Sequence, residues 1–148
     1  MGATVGYRVR GPVDDVALSA LHDVAFGGGA SDGPGPVLPW NTRLHQHSLT
    51  WVEAYAVGRV PTGRVELVGF VNVGWDGGLH GFLLDTCVAP ERQGQGIGAE
   101  LVRRAAAASV EAGCAWLHVD FEPHLQPFYA RCGFSPTQAG LMRLGPPG

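Results

Sequence analysis

The feature that most constrains this chain is a double change of hydrophobic period between residues 80 and 121. Residues 80–88 read as a long strand, with Leu83 and Leu84 placed as though both faces were buried. A turn with glycines at 94, 96 and 98 follows. Ile97, Leu101, Ala105, Ala108 and Ala112 then fall at helical spacing, and residues 116–121 return to a period of two. A strand, a glycine turn, a helix and a second strand in that order need a right-handed crossover, so 80–121 is expected to form one βαβ unit. The alanine-rich helix, expected over 96–111 and ended by Gly113, can lie close on a sheet. Glu100 and Arg104 stand one turn apart and are expected to pair on its exposed face.

The rest of the pattern extends that unit. Residues 7–10 read as a first strand, and Asp14 and Asp15 suit a helix start, where carboxylates meet free amides. Val16, Leu18, Leu21 and Val24 give that helix an apolar face as far as Phe26. Residues 40–48 suggest a second short helix. Strands over 51–60 and 65–75 are joined by the turn Pro61-Thr62-Gly63, and Asp76-Gly77-Gly78 leads into the strand at 80. A short helix over 124–131 ends at Gly133, Phe134 begins a further strand, and 141–144 is expected to be the last. The expectation is a single α/β domain, 1–148, with a mixed, mostly antiparallel central sheet and helices on both faces. Between the first two helices, residues 27–39 collect glycine and proline and hold neither a helix nor a central strand. They read either as a mobile surface loop or as a flap beside a site.

Composition narrows the function classes. The net charge is −3, and all ten basic residues are arginines. A weakly acidic chain without lysine makes a poor surface for duplex nucleic acid. No stretch reaches the roughly 18 apolar residues of a membrane helix. The start, MGATVGYRVRG, lacks the basic and apolar regions of a signal peptide. Three widely spaced cysteines, Cys87, Cys114 and Cys132, fit neither a disulfide scaffold nor a thiolate zinc site, which suggests a cytoplasmic protein. Cys114, His118 and His124 are irregularly spaced with no fourth partner, so no metal is expected. Local spacing sets no base beside Cys87 or Cys132, so a cysteine nucleophile is not expected either.

Chemistry concentrates in Val88-Ala89-Pro90-Glu91-Arg92-Gln93-Gly94-Gln95-Gly96-Ile97-Gly98. Glycines strip side chains from the approach to a helix start, where free N–H groups converge and the helix dipole adds partial positive charge. Such a nest holds a phosphate without needing lysine, and Arg92 can add a charged hydrogen bond from the rim. The alternative is a tight strand-to-helix turn with no ligand. A Walker A loop is excluded because Ala99-Glu100 follows Gly98, and the glycine spacing is wrong for a dinucleotide fingerprint.

Gln93-Gly94-Gln95-Gly96-Ile97-Gly98 resembles the signature of the GCN5-related N-acetyltransferases, and the Val88-x-Pro90 lead-in is similar too. Pro127-Phe128-Tyr129-Ala130-Arg131-Cys132-Gly133-Phe134 resembles that family's second cofactor-side motif, at a suitable distance. The resemblance implies the acyl-CoA N-acyltransferase fold and an acetyl-CoA site. The amides around Gly94, Gly96 and Gly98, within the run Arg92, Gln93, Gln95 and Ile97, would hold the pyrophosphate. The pantetheine arm would pair with backbone near Cys87 and Val88, in a splay between the strands at 80–88 and 116–121. Tyr129 matches the tyrosine assigned as general acid to the departing thiolate, a role a phenol can fill by hydrogen-bonding sulfur. Glu122 stands on the cofactor side, where the family often has asparagine.

Transfer to an amine also needs a group to take its proton. Asp85 lies in an otherwise apolar strand, where a carboxylate is either hydrogen-bonded at a cavity or costly, and it is the first candidate for base or substrate anchor. Glu91, His118, Asp120 and Glu122 are the others. His118 and Asp120 share a strand face by period two. Residues 27–50, with Trp40, His45 and His47, are expected to form much of the acceptor wall. His22 joins His45 and His47 as a candidate to line the acceptor side, on context alone. The implied activity is transfer of an acetyl group from acetyl-CoA to a primary amine of a small molecule or peptide. The alternative is a module that binds acyl-CoA and transfers nothing. The resemblance allows a homodimer without indicating its surface.

Overall fold

Strand pairing follows chain order across one five-stranded sheet, β1-β2-β3-β4-β5. The computed structural model describes residues 4–27, 33–58 and 65–146. The strands are β1 (Thr4–Val9), β2 (Ser48–Val57), β3 (Val65–Trp75), β4 (His80–Val88) and β5 (Trp116–Val119). The first four form an antiparallel meander, and β5 joins β4 in parallel. The parallel step is bridged by α3 (Ile97–Glu111), as the change of period requires. Residues 28–32 of the glycine-rich segment and the turn Pro61-Thr62-Gly63 lie outside the described residues.

Helices cover both faces. The helix α1 (Asp15–Phe26) packs on β3 and β4, and α2 (Trp40–His47) packs on β2 and β3. Asp14 caps α1 by accepting hydrogen bonds from the amides of Val16 and Ala17, at 2.9 and 3.0 Å. Asn41 ties the two helix starts together. Its carboxamide oxygen accepts from the Val13 amide at 3.0 Å, and its own amide donates to Asp15 at 2.8 Å. On the opposite face, Ile97, Leu101, Val102 and Ala105 of α3 are buried. Gly69 lets this helix close on the sheet, because a Cβ there would lie 2.9 Å from Leu101 and 3.2 Å from both Ala54 and Ile97. Burying the larger α3 side chains stabilises the sandwich by roughly 1.5–3 kcal/mol each. A 3-10 turn at Pro123–Leu125 leads into the short α4 (Gln126–Arg131).

Four expectations change. Leu83 is buried, but Leu84 is 40% exposed, because it points to the face of β4 that α1 and α2 leave partly uncovered. Val16 and Val24 are exposed and only Leu18 and Leu21 of the predicted α1 face are buried, since the true contact stripe is narrower. In α3 the buried stripe ends with Ser109, and Ala112 is exposed at the C-cap. Residues 134–146 contain no strand, and Leu141, Met142 and Leu144 stand exposed. Glu100 pairs with Arg104 at 2.8 Å as expected, and Arg103 adds a bond at 2.6 Å.

Candidate active site

The site is built on an irregularity in β4. Phe70 pairs with Cys87 and Asn72 with Leu84, so Val71 alone faces both Asp85 and Thr86. This is a β-bulge, and Asp85 holds it with a left-handed φ of 58°. Aspartate is among the few side chains that tolerate that conformation. The bulge falls where the parallel ladder ends. Pairing of β4 with β5 runs from His80–Trp116 to Leu83–Val119, whereas β4 continues to Val88. From Leu84 onward the backbone edge of β4 facing β5 has no strand partner among the described residues.

On the α1 side of the bulge the Asp85 carboxylate is fully engaged. His22 Nε2 lies 2.9 Å from Oδ1, and Asn72 donates to Oδ2 at 3.2 Å. Ser48 donates in turn to Asn72 at 2.6 Å. Burial pushes the Asp85 carboxyl up, but the bonds from His22 and Asn72 outweigh it and hold the group below its ordinary value of 3.8. His22 sits between aromatic rings, with Phe26 at 4.6 Å and Trp40 at 5.1 Å between centroids. Trp40 is fully buried behind His22 and packs on Phe70, so its ring braces this side of the sheet from within.

On the other side, Tyr129 of α4 is buried and stacks on Phe121 at 4.8 Å. Burial pushes its phenol up, and its side-chain contact with Thr86 only partly opposes this. Thr86 thus brings Tyr129 to the bulge that carries Asp85. Burial pushes the Cys87 thiol up to about 12, aided by Asp85, so Cys87 stays protonated and is no nucleophile.

The turn before α3 is shaped by backbone strain more than by crowding. Gly94 and Gly96 have φ of 78° and 82°, and no heavy atom lies within 4 Å of where either Cβ would stand. Gly96 is the N-cap of α3, and no side chain caps that end. The first-turn amides therefore lack the partner that Asp14 gives α1. Gly98 has a different use, since its Cβ would come within 3.2 Å of the Phe128 ring, which seats α4 against α3. The side chain of Gln93 reaches back toward the Val88 carbonyl at 3.4 Å. Gln95 follows in the same exposed turn, and Ile97 is buried beneath it. Arg92 borders an open cleft of about 580 Å³ that Ala17, Ala56 and Leu67 also line, but neither Asp85 nor Tyr129 reaches this cleft.

The remaining candidates lie apart from this cluster. His118 is exposed, lies 2.7 Å from His80 through its Nε2, and stacks on Phe82. Its contacts are therefore on the outer part of β4 and β5, with neither Asp85 nor Tyr129. Asp120 falls just beyond β5 and is exposed. Glu122 is exposed, and its carbonyl accepts from Leu125 at 2.9 Å in the turn before α4. Among the described residues no group of three or more metal-ligating side chains occurs, and no helix is long and apolar enough to cross a membrane.

Comparison with known proteins decides the family. The profile of the Acetyltransferase (GNAT) family matches residues 17–134. The chain belongs to this family. It is 40% identical over 122 residues to the mycothiol acetyltransferase of Nocardia farcinica, a match covering 82% of this chain and 38% of that protein. It is also 40% identical over 58 residues to a probable glucosamine 6-phosphate N-acetyltransferase of Oryza sativa subsp. japonica, covering 39% of this chain and 35% of the relative. The matches thus span little more than a third of either relative. Among solved structures, the aminoglycoside N-acetyltransferase AAC(6')-Iy in complex with CoA superposes with a TM-score of 0.70 at 18% identity, covering 98% of this chain and 97% of that one. The mixed sheet flanked by helices is the GNAT fold.

Proposed function

We propose that this GNAT domain transfers an acetyl group from acetyl-CoA to a primary amine. One observation carries the reading. The uncapped start of α3, opened by left-handed Gly94 and Gly96, lies directly after the stretch of β4 whose edge is unpaired. Free amides in such a turn suit a diphosphate, and an unpaired strand edge suits the amide groups of a pantetheine arm. Arg92 would add charge from the rim, with Gln93 and Gln95 flanking the turn and Ile97 anchoring it. Cys87 and Val88 would offer backbone. The exposed Glu122 would stand beside the arm near the start of α4.

The donor supplies a thioester carbonyl that an amine can attack directly. As the new C–N bond forms and the C–S bond breaks, the nitrogen loses a proton and the sulfur gains negative charge. Tyr129 would meet the sulfur. Its phenol, held above 10 by burial, keeps its proton at neutral pH. Full transfer from such a phenol to an ordinary thiolate runs uphill by about 2 kcal/mol or more, so Tyr129 stabilises the thiolate chiefly as a hydrogen-bond donor. Asp85 meets His22 of α1, where α1 and α2 would build the acceptor wall around His22 and Trp40. His118 and Asp120 would enter only for an acceptor long enough to extend over the outer strands.

The names of the relatives direct the acceptor search to small amines, amino sugars among them. The test is calorimetry with CoA, followed by thiol release from acetyl-CoA with glucosamine, glucosamine 6-phosphate, an aminoglycoside and a peptide amine. CoA binding with transfer to one of these supports the reading. CoA binding without any transfer favours an acyl-CoA-binding module, and no CoA binding refutes both.

A further inference from the structure

We infer that His22 is the general base of the transfer, and that Asp85 is its positioning partner. The inference rests on the acetyltransferase reading above and assigns one step within it. The geometry is that of a base held by an orienting acid. Asp85 is ionised and can only accept, so His22 must donate to it through Nε2–H. The proton of the neutral ring is then fixed on Nε2, and the Nδ1 lone pair is left free. No hydrogen-bond partner for Nδ1 occurs among the described residues. Asp85 itself is a poor base, because both its oxygens are occupied and its affinity for a proton is reduced.

The surroundings define the pair further. The rings of Phe26 and Trp40 flank His22 while its side chain remains 24% exposed, enough for a proton to leave to solvent. Among the described residues, the charged and titratable groups that act on Asp85 besides His22 are Cys87 on β4 and Arg43 on α2, whose guanidinium lies 5.1 Å over the Trp40 ring. Ser48 and Asn72 continue the network beneath Asp85 and fix its carboxylate plane. Asp85 meets His22 of α1 and Thr86 meets Tyr129 of α4, so two different helices converge on the bulge. In the step, the amine nitrogen bonds to the acyl carbon and passes its proton to His22 Nδ1. The C–S electron pair goes to sulfur, which accepts a hydrogen bond from Tyr129. His22 then returns its proton to water.

The test uses the full chain with acetyl-CoA and whichever panel amine is acetylated, comparing wild type with His22→Ala, His22→Gln and Asp85→Asn. Calorimetry with CoA and thermal melts accompany every rate. The expected result is a fall in kcat of about a hundredfold or more for both His22 variants, with CoA affinity within twofold. Asp85→Asn should lower kcat by less than the His22 variants do, with CoA affinity again within twofold. Added imidazole should partly restore His22→Ala, which a merely structural histidine would not permit. A His22→Gln rate within threefold of wild type overturns the assignment while leaving the acetyltransferase reading intact. A wild-type chain that binds no CoA overturns that reading, and this assignment with it.

Discussion

Replacing Gly96 separates backbone strain from crowding, because the structure offers the first without the second. Its φ of 82° is left-handed, and no atom stands within 4 Å of the missing Cβ. An alanine there meets open space, so its cost is conformational, about 1–2 kcal/mol. The unfolded chain also loses freedom when glycine is replaced, which returns about 0.4–1 kcal/mol. The net loss for Gly96→Ala is therefore about 1 kcal/mol, or a fall in Tm of about 2–4 °C for a chain of this size. Asparagine tolerates the left-handed region and should lie nearer wild type, whereas the β-branched valine should be worst. Binding should follow the same order. A residue that abandons the positive φ turns the amides of the first α3 turn, and CoA affinity should weaken at least tenfold for Gly96→Val. Thermal melts and CoA calorimetry on the three variants give both scales. Equal stability for valine and glycine would refute the left-handed N-cap, and undiminished CoA affinity in Gly96→Val would refute the amide grip.

Tyr129→Phe should lower kcat about tenfold or more while CoA affinity stays within twofold, read by thiol release and calorimetry; an unchanged rate would remove its role. Gly69→Ala should destabilise the fold by about 1–2 kcal/mol, because the new Cβ presses on Leu101 and Ile97, and should weaken CoA binding as the first turn of α3 lifts. Asp85→Asn should lose stability that wild type has at neutral pH. The folded carboxyl is held below 3.8, so its contribution is present above that value and fades as pH falls through the lower folded one. Urea melts from pH 7 to pH 3 should therefore show the two proteins converging at the acid end.

The legible part of this fold was the part written in local periodicity. The run from His80 through the glycine turn to Trp116 alternates, coils and alternates again, so strand, helix and parallel strand could be read in order. Asp85 declared itself because a carboxylate amid Leu83, Leu84 and Cys87 is costly without a partner. The partner was invisible. His22 stands 63 residues away, and nothing in the helix that carries it marks the residue as meeting a strand. The left-handed φ at Asp85 was equally hidden, since a bulge depends on register against β3 and leaves no trace in one strand's pattern. Phe134 and residues 141–144 misled for the converse reason. Their apolar character suits a strand, but a strand also needs a neighbour to pair with, and that is a property of the sheet.

The mouth of α3 has one more consequence. Peptide groups do not titrate, so the grip that the amides of this turn would give a diphosphate is the same in mild acid as in mild base. Any slope that acidity draws in acetyl transfer by this chain would then be expected from the incoming amine and the side chains that meet it.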